Sequence, residues 1–398
     1  MPEVADPTAA SGTTRKERFR QYFRAFNPTV SPVQALTDGF VVADLRPELF
    51  HKKIAARVEL EPRSRQAVIG GIGSGKTTEL LLVQKHLVEH GISAFYIEVS
   101  RFADISRAKP GFLIGIAAKQ LLDALGYPKD LSSDAKKIDD FLYGYWRHDS
   151  DREYEEDRSG QDYSFVGGVA AKPILPEAQL DQPARQAFEN VLKAYRSETA
   201  FALLIDGLDR MQDVADFRRL AMPDLDIFQN LEIPVVCVAP LALQFTPQSD
   251  LREQFDRIHE LSSIWTHGTG LDRILKLRDS QSLLTPGAGT KIINGSGGLI
   301  RDLITLARDA GEEAYVSGSQ QIENDHAVSA VRQMGMSYSR GLSHRQLVLL
   351  KAIAKTKGVD PTDPEIMQLL GTRRIIEYSS TSFSVHPALS KVLNLNAF

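Results

Sequence analysis

Eight consecutive residues carry the clearest chemistry in this chain. Gly70, Gly71, Ile72, Gly73, Ser74, Gly75, Lys76 and Thr77 fit the pattern G-x-x-x-x-G-K-[ST] without a mismatch. Glycines let the backbone curl until successive N–H groups point inward at a chain of phosphates. The lysine of such a loop reaches the β- and γ-phosphates, and the hydroxyl that follows it is a ligand for Mg²⁺. Those roles fall to Lys76 and Thr77, with Thr78 adjoining the loop as a further nucleotide contact. The flanking elements are the ones this chemistry requires. Ala67-Val68-Ile69 reads as a buried strand, and Thr78 to His90 reads as a helix closed by Gly91. A helix N-terminus adds partial positive charge where the phosphates would sit. A glycine-rich turn that matched by chance would not have both elements in register.

A second set of chemical residues follows an apolar strand. Phe201-Ala202-Leu203-Leu204-Ile205-Asp206 ends on a carboxylate. If that strand lies beside the one leading into the loop, Asp206 comes within reach of the metal held by Thr77. Asp209 follows Gly207 and Leu208. It is placed to polarise an attacking water as general base, or it is a plain turn aspartate. A third strand, Ile233 to Ala239, runs into Pro240, and the nearest polar residues after it are Gln244 and Thr246. Nucleotide binding is thus better supported than rapid hydrolysis. No Asn/Thr-Lys-x-Asp guanine signature occurs, which favours ATP over GTP.

The rest of the chain must position these groups. Its 398 residues suffice for two to three domains. A net charge of −4, from 47 Lys and Arg against 51 Asp and Glu, argues against a wholesale nucleic-acid binder but not against a local basic face. The single cysteine, Cys237, excludes a disulfide framework and fits a reducing, cytoplasmic setting. No apolar stretch approaches a membrane span.

Met1 to Thr14 is small and polar and reads as disordered. Arg15 to Phe26 sets five basic residues among Phe19, Tyr22, Phe23 and Phe26. It is either a basic docking helix or a surface helix with an aromatic inner face. Phe40-Val41-Val42 and Asp44-Leu45-Arg46 lead toward the loop. Residues from about 127 to 182 look like an insertion with an acidic run and a Gly167-Gly168 turn. Further on, Gly297-Gly298-Leu299-Ile300-Arg301-Asp302-Leu303 opens a long helix. Residues 342–398 read as two helices, a strand–turn–strand and a closing helix, the order of a winged helix. They hold seven Lys and Arg against four Asp and Glu, with Arg373, Arg374 and Lys391 as candidate phosphate contacts.

The loop, the run Leu203-Leu204-Ile205-Asp206-Gly207-Leu208-Asp209-Arg210 and the Gly297 to Leu303 segment together resemble AAA+/STAND-type P-loop ATPases. The similarity is greatest to origin-recognition-like members, and it covers Phe40 to Phe398 with gaps across the insertion. It implies an α/β fold: a three-layer P-loop NTPase core with a parallel sheet, then a helical lid, then a winged-helix domain. The expected boundaries are 1–31 for the N-terminal segment, 32–265 for the core, 266–340 for the lid and 341–398 for the winged helix. The resemblance also implies that Arg301 contacts the γ-phosphate and that an arginine acts in trans, with Arg252 and Arg257 as candidates. It further implies a homo-oligomer acting on DNA through the winged helix or on a protein partner, in genome maintenance or defence. The chain departs from the family in lacking the AAA+ Asp-Glu pair and a clear first sensor. A non-hydrolysing, ATP-gated scaffold is therefore the alternative.

Overall fold

The computed structural model describes residues 14–46, 48–102, 110–143, 182–196, 200–211, 214–245, 253–264, 266 and 270–395. The Gly167-Gly168 turn, Arg252 and Thr246 lie outside them. The chain opens with helices α1 (Arg15–Ala25), α2 (Pro32–Thr37) and α3 (Phe50–Leu60). Strand β1 (Arg65–Ile69), α4 (Lys76–Glu89), β2 (Ser93–Glu98), α5 (Phe112–Leu125), α6 (Ser132–Tyr143) and α7 (Gln182–Arg196) come next. They are followed by β3 (Phe201–Asp206), α8 (Val214–Leu220), α9 (Met222–Asn230), β4 (Val235–Val238) and β5 (Arg257–Glu260). Helices α10 (Leu271–Arg278), α11 (Pro286–Ser296), α12 (Ile300–Val316), α13 (Asn324–Ser339), α14 (His344–Thr356) and α15 (Pro364–Gly371) precede the hairpin β6 (Ile375–Ser379) and β7 (Ser382–Val385) and the closing α16 (Pro387–Val392).

These elements form two compact units. One comprises residues up to Leu49, Gly70–Thr78 and Glu260–Phe398; the other comprises Phe50–Ile69 and Glu79–His259. The second unit is built on a sheet of order β2-β3-β4-β1-β5, in which β2/β3, β3/β4 and β1/β4 are parallel. Strands β3 and β4 are apolar and buried at nearly every position because both faces of the sheet are covered. Leu203, Ile205, Val235 and Cys237 share a core with Leu113 and Leu121 of α5, Phe188 of α7 and Phe228 of α9. Each buried phenylalanine contributes on the order of 2 kcal/mol. The opposite face is buried as well, through Val68, Leu204 and Val236. There Gln66 Nε2 donates to the Ile54 carbonyl of α3, 3.2 Å away, and Gln66 Oε1 lies 2.9 Å from His259 Nε2. Helices on both faces make the three-layer α/β core expected of a P-loop NTPase.

Helix α5 begins with a buried carboxylate. Asp224 of α9 accepts from Gly111 N at 2.6 Å and Leu113 N at 2.9 Å, so it satisfies donors that the first helical turn leaves open. Burial dominates its titration, and against those backbone donors it pushes the carboxyl up to about 7. The folded value thus lies above the unfolded one, and the native state holds the proton more tightly. Stability from this group is fully present below the ordinary carboxylate range and declines as pH rises from there to about 7, by on the order of 1 kcal/mol per pH unit. Urea titrations at pH 5 and pH 8 should show this decline, and Asp224→Asn should flatten it. An unchanged slope in the variant would assign the pH dependence elsewhere.

In the other unit, α1 is a structural helix. Phe19, Tyr22 and Phe26 are buried with Leu303, Leu306 and Ala310 of α12. Tyr22 OH donates to the Ala307 carbonyl at 3.0 Å. Gly311 makes room for the Tyr22 ring, since a Cβ there would lie 2.8 Å from it. Arg15 donates to the carbonyls of Ala314, Tyr315 and Ser319 and so closes the C-terminal end of α12. Of the two readings of this basic, aromatic stretch, the aromatic inner face is the one realised. Phe40 and Val42 pack against the helices of this unit, and the Arg278 guanidinium sits 4.8 Å over the Phe40 ring.

Candidate functional site

The phosphate loop belongs to the same unit as α12. Gly73 and Gly75 have φ of +86° and +99°, values that side-chain-bearing residues rarely adopt. The Lys76 ammonium is buried in its own loop and donates to the carbonyls of Gly70 at 2.8 Å and Gly71 at 3.0 Å. The Ser74 hydroxyl is buried with no hydrogen-bond partner among the described residues. Such an orphaned donor fits a loop whose remaining partner is an anion.

The N-terminus of α12 rests on this loop. Ile300 N donates to Gly73 O at 3.3 Å. A Cβ on Gly73 would meet Arg301 Cβ at 3.7 Å, so Arg301 stands beside the turn with its side chain exposed. The preceding turn leaves no room for change. Gly298 has φ of +83°, and a Cβ there would lie 1.6 Å from the Ile264 carbonyl oxygen. Arg46 holds the loop from another side, its guanidinium donating to Ser74 O at 2.5 Å and Ser262 O at 3.0 Å. The sequence marks the segment around Arg46 but not this role, because its partners lie 28 and 216 residues away.

Asp206, Asp209 and Arg257 lie in the second unit. Asp206 ends β3 opposite Glu98 of β2 and accepts from Tyr96 OH at 2.8 Å. Burial first, then the neighbouring Asp206 charge, raise the Tyr96 phenol above its ordinary range, so it remains a donor at neutral pH. Tyr96 thereby orients the carboxylate, a contact that only strand pairing reveals. Asp209 sits half-buried in the tight turn Leu208–Arg210 after Gly207, whose φ is +95°. Arg257 is exposed at the start of β5. Arg252 falls outside the described residues.

Beside Arg301 is a buried polar cluster. Asp302, 2% exposed, accepts from Tyr338 OH at 2.7 Å, from Arg373 and from His386 Nε2 at 3.2 Å. His386 Nδ1 accepts from Ala388 N at 3.2 Å, so the ring proton is on Nε2 and points at the carboxylate. Arg374 donates to the carbonyls of Tyr338 and Arg340. Arg373 and Arg374, expected from sequence to face nucleic-acid phosphates, are instead engaged within the fold. Lys391 is exposed on α16, and desolvation, then the charge of Lys291, lower its pKa. The hairpin touches the turn before Arg301 through Tyr378 OH, which donates to Gly297 O at 2.9 Å, and Glu377 O accepts from Ser263 N at 3.0 Å.

No protein-family model matches the sequence, and neither does any curated protein. Among solved structures, the Aeropyrum pernix ORC2 protein in ADPNP–ADP complexes superposes with a TM-score of 0.50 at 15% identity, over 94% of this chain and 96% of that one. Drosophila ORC bound to DNA gives 0.46 at 15% identity, over 89% of this chain and 76% of that one. The Thermotoga maritima RuvB Holliday junction branch migration motor gives 0.41 at 15%, over 88% and 95%. The likeness to the Aeropyrum pernix protein runs through nearly the full length of both chains, and the chain has the fold of an origin-recognition-like AAA+ ATPase.

Proposed function

We propose that this chain is an ATP-binding and ATP-hydrolysing AAA+/STAND-like switch that assembles with itself and acts on DNA or a protein partner. The observation that carries this reading is the seating of the α12 N-terminus, with Arg301, on a phosphate loop that holds a buried lysine and an orphaned hydroxyl. In that reading the loop residues Gly70 to Thr78 cradle the triphosphate, and Lys76 neutralises its β- and γ-oxygens. The Thr77 hydroxyl and Asp206 carboxylate are hard oxygen donors, the set that suits Mg²⁺. The metal would supply charge neutralisation on the transferring phosphate. Asp209 polarises water, Arg301 reports the γ-phosphate, and Arg252 or Arg257 serves the neighbouring copy's site. The Aeropyrum pernix protein was solved with ADPNP and ADP, ligands of the class this loop would take.

The C-terminal helices and hairpin act in this proposal as a winged helix. Arg373 and Arg374 are engaged internally, whereas Lys351 and Lys355 of α14 and Lys391 of α16 are exposed, so DNA contact in this proposal rests first on those lysines. Among the described residues, no helix is long and apolar enough to cross a membrane. One observation favours a second reading, the non-hydrolysing scaffold. Strand β4 runs into Ala239-Pro240, so no polar side chain stands at its immediate end.

Steady-state phosphate release, with and without duplex DNA, separates the two. A hydrolase should release phosphate in proportion to time and Mg²⁺. Asp206→Asn should remove the Mg²⁺ dependence, while Asp209→Asn should spare ATP binding and slow turnover roughly 10²-fold or more, as expected for a lost general base. No turnover in the parent under any condition would establish the scaffold. Equal loss of nucleotide affinity in both variants would overturn the division of roles.

A further inference from the structure

Three ligand-type side chains converge on the surface of the second unit, away from every residue assigned above. His86 lies on α4, and His90 follows the last residue of that helix. Four residues apart, they share one face. Glu59 reaches them from α3. The donor atoms of all three lie within 4.8 Å of one another, and His86 Nε2 is 3.9 Å from Glu59 Oε1. The two imidazoles lie side by side, with centroids 4.2 Å apart and planes 32° from parallel. Glu59 and His90 are exposed and His86 is partly so, leaving the cluster open to solvent.

The hydrogen bonding of His90 fixes its chemistry. Its Nδ1 is 2.7 Å from the His86 carbonyl oxygen, which can only accept. The ring proton is therefore on Nδ1, and Nε2 carries a lone pair. Metal-ligating histidines use this arrangement, with one nitrogen anchored to a carbonyl while the other binds. Two imidazole nitrogens and one carboxylate oxygen form the donor set of zinc-class ions, whereas Mg²⁺ and Ca²⁺ prefer oxygen alone. Ligand atoms about 2.0 to 2.1 Å from a tetrahedral ion stand roughly 3.3 Å apart. The 3.9 Å separation of His86 and Glu59 closes to that by side-chain rotation at an exposed position. Without a metal, the same residues would make a weak surface ion pair. That account does not explain the convergence of a third donor.

We propose that Glu59, His86 and His90 form a site for a divalent transition metal of the zinc class, with a fourth position left for water. An ion there ties α3 to the C-terminal end of the helix that starts at Lys76. The test uses tag-free, full-length protein freed of metal by chelation, with Mg²⁺ in excess so that oxygen-donor sites are filled. Co²⁺ should produce the visible absorption of a four-coordinate nitrogen–oxygen site at one equivalent. Zn²⁺ should displace it and raise the melting temperature. His90→Ala and Glu59→Gln should each weaken Zn²⁺ binding at least tenfold while leaving the circular dichroism spectrum and the melting temperature of the metal-free protein unchanged. Lys85→Ala, on the same helix, should bind as the parent does. Absence of the cobalt spectrum, or unchanged Zn²⁺ affinity in both ligand variants, would overturn the proposal.

Discussion

Lys76→Ala should lower ATP affinity roughly a hundredfold or more, equivalent to about 3 kcal/mol, the range of a hydrogen bond to a charged partner. The ammonium is only 7% exposed and is fixed by two loop carbonyls, so its desolvation and ordering are complete before any ligand arrives. Binding a triphosphate then adds charge-assisted bonds with little further loss of side-chain freedom. Lys76→Arg should recover only part of the loss. A planar guanidinium cannot place a compact charge between the Gly70 and Gly71 carbonyls. Equilibrium binding of labelled ATP, with circular dichroism to show that both variants fold, measures the effect. A Lys76→Ala protein that binds like the parent would remove the loop from the nucleotide site.

The local parts of this site were legible in sequence because they depend on neighbours in the chain. Glycines at the loop's tight positions, a β-strand before it and a helix after it follow from short-range sterics and apolar spacing. The strand–turn–strand expected within residues 342–398 was likewise readable, and it is the hairpin of β6 and β7. What escaped depends on partners far along the chain. Tyr96 meets Asp206 across 110 residues, and Arg46 meets Ser262 across 216. Arg373 and Arg374 look like a surface basic pair in their own segment, yet their partners are Asp302, Tyr338 and Arg340. A local charge count cannot separate an arginine facing solvent from one turned toward a buried carboxylate. In sequence Asp302 is only one residue of the run Gly297 to Leu303 that opens a long helix. Its burial arises only when α13, the hairpin and α16 close over it.

Asp302→Ala should be among the most destabilising single changes in this chain, costing roughly 3–5 kcal/mol as the removal of one member of a buried ion pair does. Burial alone would raise this carboxyl, but the hydrogen bond from His386 and the charge of Arg373 outweigh it and hold the carboxyl below the ordinary carboxylate range. Alanine would leave Arg373 and the fully buried His386 without their acceptor. The depressed pKa fixes the sign of the pH effect. The stabilisation is present above the ordinary carboxylate range and is lost as pH falls below about 4, through the lower folded value. The parent should therefore lose stability in that acidic window more steeply than the variant. In the proposed function the same carboxylate bears on the nucleotide site, because Asp302 follows Arg301 at the end of α12 that meets Gly73. Asp302→Ala should thus weaken ATP binding without touching the nucleotide, and Asp302→Ala with Arg373→Ala should cost less than the two single changes added together. Urea denaturation of the four proteins in that cycle measures the stability terms, and ATP titration of the same proteins measures the coupling. Additive stabilities together with unchanged ATP affinity would show that the cluster neither pairs as described nor positions the helix that carries Arg301.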